Sequence, residues 1–413
     1  MPNTIIYHID VNSAFLSWQA KEMLETGETM VDLRDIPSAV GGSEEHRHGI
    51  ILAKSASAKA FGVHTGEPLV QARRKCPNLT VVPPRFDIYV ENSKAFIELL
   101  KEHSPVIEQF SIDEAFCDMT GMELLHGDPV AYAHTLKDEI RERLGFTVNI
   151  GISTNKLLSK MASDFTKPDR VHTLFPDEIS EKLWPLPVED LFYVGHSTAK
   201  KLRGLGIHTI GELAGTDPEL IRSHFKKHGE VIWNYANGND ADMPLRDKTA
   251  ANKGYGNSVT THYDVTDRQT ALRILLSLCE TVGARLRADK SYISVVSVSL
   301  VDYEFHNSSK QTTLPSTTNV TEKIYDTAVM LFDALWTHAP LRLLGVNTSH
   351  AGTEKYEQYN LFELDKYEKL SKLNEAIDSI RDRYGEDSVK RACFIDSDTA
   401  HMSEGLNKAK RKK

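Results

Sequence analysis

The sequence reads as an α+β protein of several domains, and three observations predict it. At 413 residues the chain is too long for one ordinary core, so roughly two to four domains are expected. Its first part alternates strand and helix signals in the order strand–helix–strand–strand–helix–strand, which describes a ferredoxin-like sheet with an insertion after its first helix. A polar, turn-rich stretch, MPLRDKTAANKGYG (243–256), then reads as a linker before a second α+β unit.

Taken in order, TIIYHIDV (4–11) is a buried strand, and a helix runs from about Ser13 to Leu24. Residues 27–48, rich in Gly, acids and His, are mostly loop, and ILAKSASAKAFGV (51–63) passes from strand to helix. Strand material surrounds an acidic pair in 104–119. The next helix is well marked, with Pro129 at its start, Val130, Ala133, Leu136, Ile140 and Leu144 at helical spacing, and Gly145 as its stop. FTVNIGIS (146–153) is a strand, followed by a helix from about Lys156. Two helices cover one face of such a sheet, and the other is expected to stand free for ligands. A Gly-punctuated helical region spans 173–243; beyond the linker come a helix (267–287), an alternating strand (292–301) and a helix (321–336). The tail holds one more helix, with Leu370, Leu373, Ile377 and Ile380 at helical spacing, and ends in KAKRKK, a solvated terminus.

Composition excludes several classes. Forty per cent hydrophobic and 26% charged residues are ordinary for a globular protein, and no apolar run approaches the roughly 20 residues that span a bilayer, so no membrane partner is expected. Cys76, Cys117, Cys279 and Cys393 lie far apart without a CxxC pair, which argues for the reducing cytoplasm and against zinc or a disulfide framework. The 17 histidines include no HExxH spacing, and His46-Arg47-His48 reads as loop. A net charge of −9 does not advertise nucleic-acid binding, but HSTAKKLRGLGIH (196–208) is locally basic.

FSIDEAFCDM (110–119) sets Asp113 and Glu114 inside an apolar run, where an unpartnered carboxylate is costly. A regular strand aims adjacent side chains to opposite faces, so a turn or bulge must interrupt it if both acids act at one point. Asp10 is the natural third member, because it ends a strand immediately before a helix whose first amides suit phosphate oxygens. Three carboxylates with backbone and phosphate oxygens are hard ligands that favour Mg²⁺ or Mn²⁺. Two such ions about 3.5–4 Å apart activate a hydroxyl and stabilise a leaving oxygen in phosphoryl transfer. From spacing alone, ordinary salt bridges and caps remain the alternative; Asp10 lying far from Asp113 and Glu114, or neutralisation of the trio by lysine or arginine, would end the metal reading and the function built on it.

Together, HIDVNSAFLS (8–17), AKSASAKAFGV (53–63), SIDEAF (111–116) and GISTNKLLSKMASDFTKP (151–168) resemble the Y-family, or translesion, DNA polymerases of the DinB/UmuC type in order and approximate spacing. The resemblance implies a right-hand polymerase: a ferredoxin-like palm (1–28 and 80–172), small fingers (29–79), a helical thumb (173–243), a linker (244–256), an α+β little finger (257–352) and a tail (353–413). It implies low-fidelity, template-directed extension of a primer 3′-end from deoxynucleoside triphosphates with two Mg²⁺ ions, by a monomer in the cytoplasm. One alternative is a non-catalytic DNA-binding repair scaffold, which would keep a helix–hairpin–helix and a clamp-binding peptide without needing the acids. The other is another palm-type nucleotidyl transferase, which would need neither the hairpin nor the second α+β unit. Asp10 and Asp113 match the metal-binding aspartates, with the Val11 carbonyl as a further ligand, and Glu114 matches the catalytic glutamate. Phe15 matches the steric gate against a ribonucleotide 2′-hydroxyl; from the residues alone it reads as a core position of the first helix. Ser13, Ala14, Lys59 and Lys167 match nucleotide contacts, and Lys160 is a weaker candidate that also reads as a surface charge. Many members carry a Tyr and an Arg where this chain has Ala56 and Lys59, which loses a hydroxyl and a bidentate fork. That departure, with Asn12, leaves the DinB or UmuC branch open.

VGHSTAKKLRGLGIHTIGELA (194–214) looks like a helix–hairpin–helix in which Gly204 and Gly206 bring backbone amides to DNA phosphate and Lys200, Lys201 and Arg203 add charge. The alternative is a helical pair that merely packs. QYNLF (358–362) resembles the short peptide that binds the bacterial sliding clamp, with Gln358, Leu361 and Phe362 as anchors.

Overall fold

The computed structural model describes residues 4–42, 49–240, 252–354, 364–395, 397 and 399–402. The chain divides into two compact units, 1–41 with 51–248, and 42–50 with 249–413.

In the first unit, β1 (Ile6–Val11) and α1 (Ala14–Glu25) precede an insertion of β2 (Ser38–Gly41), β3 (Ile51–Lys54), α2 (Ala56–Ala60), α3 (Leu69–Lys75) and β4 (Thr80–Val82). The chain returns through α4 (Phe86–Lys101), β5 (Val106–Gln109), β6 (Glu114–Asp118), α5 (Glu123–His126), α6 (Pro129–Leu144), β7 (Val148–Ser153), α7 (Lys156–Ser163) and β8 (Val171–Thr173). The main sheet has the order β5-β6-β1-β7-β8, with β1 antiparallel to both neighbours, which is the ferredoxin-like order plus one edge strand. β2, β3 and β4 form a separate three-stranded sheet.

α6 begins and ends where its residues dictate: the Asp128 carboxylate accepts from the Ala131 amide at 2.8 Å, and Gly145 leaves the helix at φ 76°. Tyr7, Ile9 and Val11 share a core with Trp18, Phe96, Leu136 and Ile140, which places α1, α4 and α6 on one side of β1. The opposite face is not free, as the sequence suggested. Gly151 pairs with His8, and a Cβ on it would meet the Ser159 carbonyl at 2.0 Å and the Ser163 amide at 2.4 Å. α7 therefore lies flat on that face, and glycine is what lets its backbone approach. The end of the face near Asp10 opens into a cavity.

A helical region follows, with α8 (His196–Gly204), α9 (Ile210–Gly215), α10 (Pro218–Phe225) and α11 (Lys227–Ala236). Its core, including Leu183, Leu202, Ile210 and Ile232, takes in Leu157, Leu158 and Met161 from α7, so the region is rooted in the helix that crosses the sheet.

The second unit contains β9 (Gly256–Val265), α12 (Arg268–Ala288), β10 (Ile293–Asp302), β11 (Asn307–Thr318), α13 (Thr321–Leu335), β12 (Leu341–Ser349) and α14 (Leu364–Tyr384). Its sheet runs β11-β10-β12-β9 and packs its apolar side on α12 and α13. Of these strands the sequence revealed only β10. β9 and β11 are Ser-, Thr- and Asn-rich and resemble loops by composition; pairing with neighbours makes them strands. Tyr255 is already in the core, so the linker as read from sequence reaches into the unit. α14 also differs from expectation. Leu373 and Ile380 are 50% and 40% exposed, and its buried positions are Asn374 and Arg381. The helix docks through polar groups because α12 and α13 offer it charge: Arg381 Nη1 lies 2.8 Å from Glu280 Oε2, and Arg287 Nε 2.5 Å from Asp378 Oδ2.

Candidate active site

The expected interruption of the acidic strand is present. Residues 110–113 form a turn between β5 and β6, closed by Phe110 and Ser111 amides donating to the Glu114 carbonyl at 3.0 and 3.2 Å. The residues 110–117 therefore do not form one alternating strand. The turn lets Asp113 meet the end of β1, where its carbonyl accepts from the Val11 amide at 3.0 Å. Glu114, first residue of β6, sits directly opposite Asp10 across the ladder. Cross-strand partners share a face, so Asp10 and Glu114 project to the side that carries α7. Residues remote in sequence thus converge on one pocket of about 510 Å³, which Asp10, Val11, Asp113 and Glu114 all line.

Two of the acids have lysine partners. Lys160, on α7, lies 3.0 Å from Glu114 Oε1, and Lys167 contacts Asp10 while reaching Asp164 at 2.7 Å. This corrects the expectation of a trio left open for metal. Close carboxylates repel one another, and ammonium groups on flexible stems are the nearest counter-charge. Asp113 is the exception: its carboxylate accepts from the Ser111 hydroxyl at 2.6 Å. Lys160 is 7% exposed and lies over the Phe110 and Phe192 rings at 5.2 and 5.4 Å, so it is not a surface charge. Burial pushes the Asp10 carboxyl up to about 6, against the pull of Lys167 and with a smaller upward push from Glu114.

The donor set suits a hard divalent cation. Three carboxylates and the Val11 carbonyl supply oxygen without sulfur or imidazole, and the pocket leaves room for phosphate oxygens. Two other carboxylate–histidine groups, Glu102 with His103 and Glu139, and Asp302 with Glu304 and His306, lie elsewhere. Arg143 already holds Glu102 and Glu139, at 2.8 and 2.7 Å.

Around the acids, Ser13 adopts the left-handed region at φ 48° and its side chain does not cap α1. For serine that backbone is uncommon, and it turns the chain sharply from β1 into α1 beside the pocket. Ser13, Ala14 and Phe15 line the cavity with Ala56, Lys59 and Lys167. Phe15 packs against the core of the first helix and also lines the cavity. Its ring stacks on Tyr89, with centroids 4.4 Å apart, and Phe86 meets it edge-on at 6.3 Å. Sequence reasoning passed over Lys54 and Arg34, which line the same cavity. The signal for Lys54 was a cation closing an otherwise apolar strand. Arg34 is fully engaged by Asp32, at 2.7 Å, and by the Gly145 carbonyl, at 2.7 Å.

At the hairpin, Gly206 has φ 84°, its amide donates to the Arg203 carbonyl at 3.0 Å, and the Ile207 amide donates to the Leu202 carbonyl at 3.0 Å. This is a glycine-closed helix end, so the Gly206 amide expected to meet phosphate is bonded internally. Gly204 is the last residue of α8. Arg203 pairs with Glu189, whereas Lys200 and Lys201 are exposed. Gln358, Leu361 and Phe362 lie outside the described residues. Among the described residues, no helix is long and apolar enough to cross a membrane.

Comparison with known proteins matches residues 9–164 to the impB/mucB/samB family, 252–361 to that family's C-terminal domain and 176–207 to the HHH motif of the IMS family. The chain is 43% identical over 394 residues to a DNA polymerase IV of Clostridium acetobutylicum, across 95% of this chain and 99% of that protein. It is 35% identical to a DNA polymerase IV of Acetivibrio thermocellus, across 98% and 99%, and 33% identical to DNA polymerase IV 1 of Bacillus subtilis, across 95% and 93%. A solved Y-family DNA polymerase chimera shares the fold with a TM-score of 0.70 at 22% identity, over 84% of this chain and 98% of its own. Relatives of that identity, matched along nearly their whole length, resolve the branch left open by Ala56 and Lys59: the chain belongs to the Y family of DNA polymerases, DinB type.

Proposed function

We propose that this Y-family polymerase performs its chemistry in the pocket where Asp10, Asp113 and Glu114 converge. As a DNA-directed DNA polymerase it extends primer–template DNA from nucleotide substrates in translesion synthesis and repair, and it depends on divalent metal. The observation that carries the residue assignment is the register of Asp10 against Glu114, with Asp113 bonded to the end of β1.

Asp10, Asp113 and Glu114, with the Val11 carbonyl, would hold two Mg²⁺ ions, or Mn²⁺ in their place. When bound, such ions acidify the primer 3′-hydroxyl and offset charge on the triphosphate. The other roles belong to the chain. Ser13 and Ala14 place the start of α1 beside the phosphates, where its amides favour negative charge. Lys167, which bridges Asp10 and Asp164 from an exposed loop, is placed to exchange a carboxylate for a phosphate oxygen. Lys59 adds a cation from α2. Phe15, braced by Tyr89, presents a fixed ring to the sugar and disfavours a 2′-hydroxyl by overlap.

The domain assignment follows the right-hand plan: palm 1–28 and 83–172, fingers 29–82, thumb 173–243, linker 244–254, little finger 255–352 and tail 353–413. β4 in the insertion's sheet and Tyr255 in the second core support the two boundaries that differ from the sequence reading. Lys200 and Lys201 would hold DNA phosphate at the thumb hairpin, with Gly204 and Gly206 shaping the close approach. A monomeric enzyme of the cytoplasm that engages a sliding clamp through Gln358, Leu361 and Phe362 completes the reading. Its support is the scattered cysteines and the short peptide in the sequence. Primer extension on undamaged and lesion-bearing templates tests the function, with Asp113→Ala as the inactive control. Loss of clamp capture on Phe362→Ala tests the peptide, and sedimentation tests the monomer.

A further inference from the structure

Lys54 lies within the AKSASAKAFGV motif, where the family resemblance gives it no role, yet the fold gives it a place at the pocket. β3 alternates buried Ile51 and Ala53 with partly exposed Leu52 and Lys54, and its last three residues, Leu52, Ala53 and Lys54, line the cavity. Pairing of Lys54 with Ala39 on β2 fixes that register. The ammonium donates to the Thr65 hydroxyl at 3.2 Å, and of its charged neighbours Lys59 acts on it more strongly than the opposing carboxylate of Glu67. Two like charges aimed into one concave wall repel unless an anion lies between them. The other cations lining the pocket are engaged: Arg34 by Asp32, and Lys167 by Asp10 and Asp164. Between Lys54 and Lys59 in sequence stands Ala56, exposed and small, the position where this chain departs from the tyrosine of the pattern it resembles.

We propose that Lys54 is a second triphosphate-gripping residue, acting with Lys59 on the terminal phosphates and replacing the contact that Ala56 cannot make. The proposal rests on the polymerase reading of this pocket. Two ammonium groups on separate stems would take the place of one hydroxyl and one guanidinium fork, with charge retained and planarity given up.

The test is steady-state primer extension with the full chain, varying deoxynucleoside triphosphate, for wild type, Lys54→Ala, Lys54→Gln and Lys54→Arg. Loss of one charged contact to phosphate predicts a KM about tenfold higher for the Ala and Gln variants, with kcat within about twofold and melting temperature unchanged. Inhibition by pyrophosphate should weaken by a similar factor, and Lys54→Arg should stay near wild type. Adding Ala56→Tyr and Lys59→Arg to Lys54→Ala should restore KM. An unchanged KM in Lys54→Ala, with normal wild-type extension, overturns the role of Lys54 alone. A wild-type chain that does not extend the primer overturns the polymerase reading with it.

Discussion

Asp10 and Glu280 are both buried carboxylates facing cations, and they respond in opposite directions. Asp10 meets one ammonium, that of Lys167, and burial carries its carboxyl up to about 6. Glu280, 5% exposed at its side chain, meets Arg381 at 2.8 Å and Arg391 at 2.5 Å. Burial would raise its carboxyl too, but Arg391 and Arg381 outweigh that and hold it low. Two guanidiniums close the second site: Arg391 also reaches Glu322, and Arg287 anchors Asp378 and Asn374, so the network joins α12, α13 and α14. In the palm the acids face a cavity, and their counter-charges come from stems that can leave. A carboxylate built for structure is over-compensated; one built for a ligand is left short of positive charge.

The same kind of substitution should therefore have opposite effects on stability. Asp10→Asn should lower primer extension by about a thousandfold while raising folding stability by about 1 kcal/mol in metal-free buffer, because it removes a buried charge whose pairing is incomplete. A fall in stability would place Asp10 with Glu280. Glu280→Ala leaves two buried guanidiniums without their partner and should cost about 3–5 kcal/mol, read as loss of protection along α12 and α14 in hydrogen exchange. Next in size, Phe15→Ala should reduce discrimination against ribonucleotides by about a hundredfold, and unchanged sugar selectivity would return Phe15 to a packing role.

The smallest effect is in pH. A carboxyl raised in the folded state lends stability at low pH that disappears as pH climbs from the ordinary carboxylate range to about 6, and Asp10 belongs to this class. The depressed Glu280 contributes stability that is fully present above the ordinary carboxylate range and is lost as pH falls below that range towards its lowered value. On the proposed assignment of Asp10 as a ligand, divalent binding needs its ionised form, so affinity measured by calorimetry should weaken as pH drops below about 6. An affinity flat between pH 5 and 7, an interval of about one unit on either side of that value, would contradict the shift.

Much of the palm was legible because its signals are local. Pro129 and Gly145 bound α6, and the apolar run ending at Asp10 marks β1. The need for a break beside Asp113 follows from strand geometry, and the turn at 110–113 supplies it. What stayed hidden depends on contacts between distant segments. Nothing near Gly151 in sequence says that α7 will lie on it. Lys160 and Lys167 acquire their carboxylate partners only when α7 crosses the sheet. The apolar spacing of Leu373 and Ile380 pointed to the wrong face of α14, because Asn374 and Arg381 find polar partners on α12 and α13. β9 and β11 carry too little apolar pattern to be read without their neighbours.

The central claim is that Asp113, bonded through its carbonyl to the end of β1 and free of a lysine partner among the described residues, is a working member of the catalytic trio. Single-turnover primer extension by Asp113→Ala in Mg²⁺ tests it most directly. Extension slowed by about a thousandfold or more, with the fold intact, is the predicted result. Extension at the wild-type rate would contradict it.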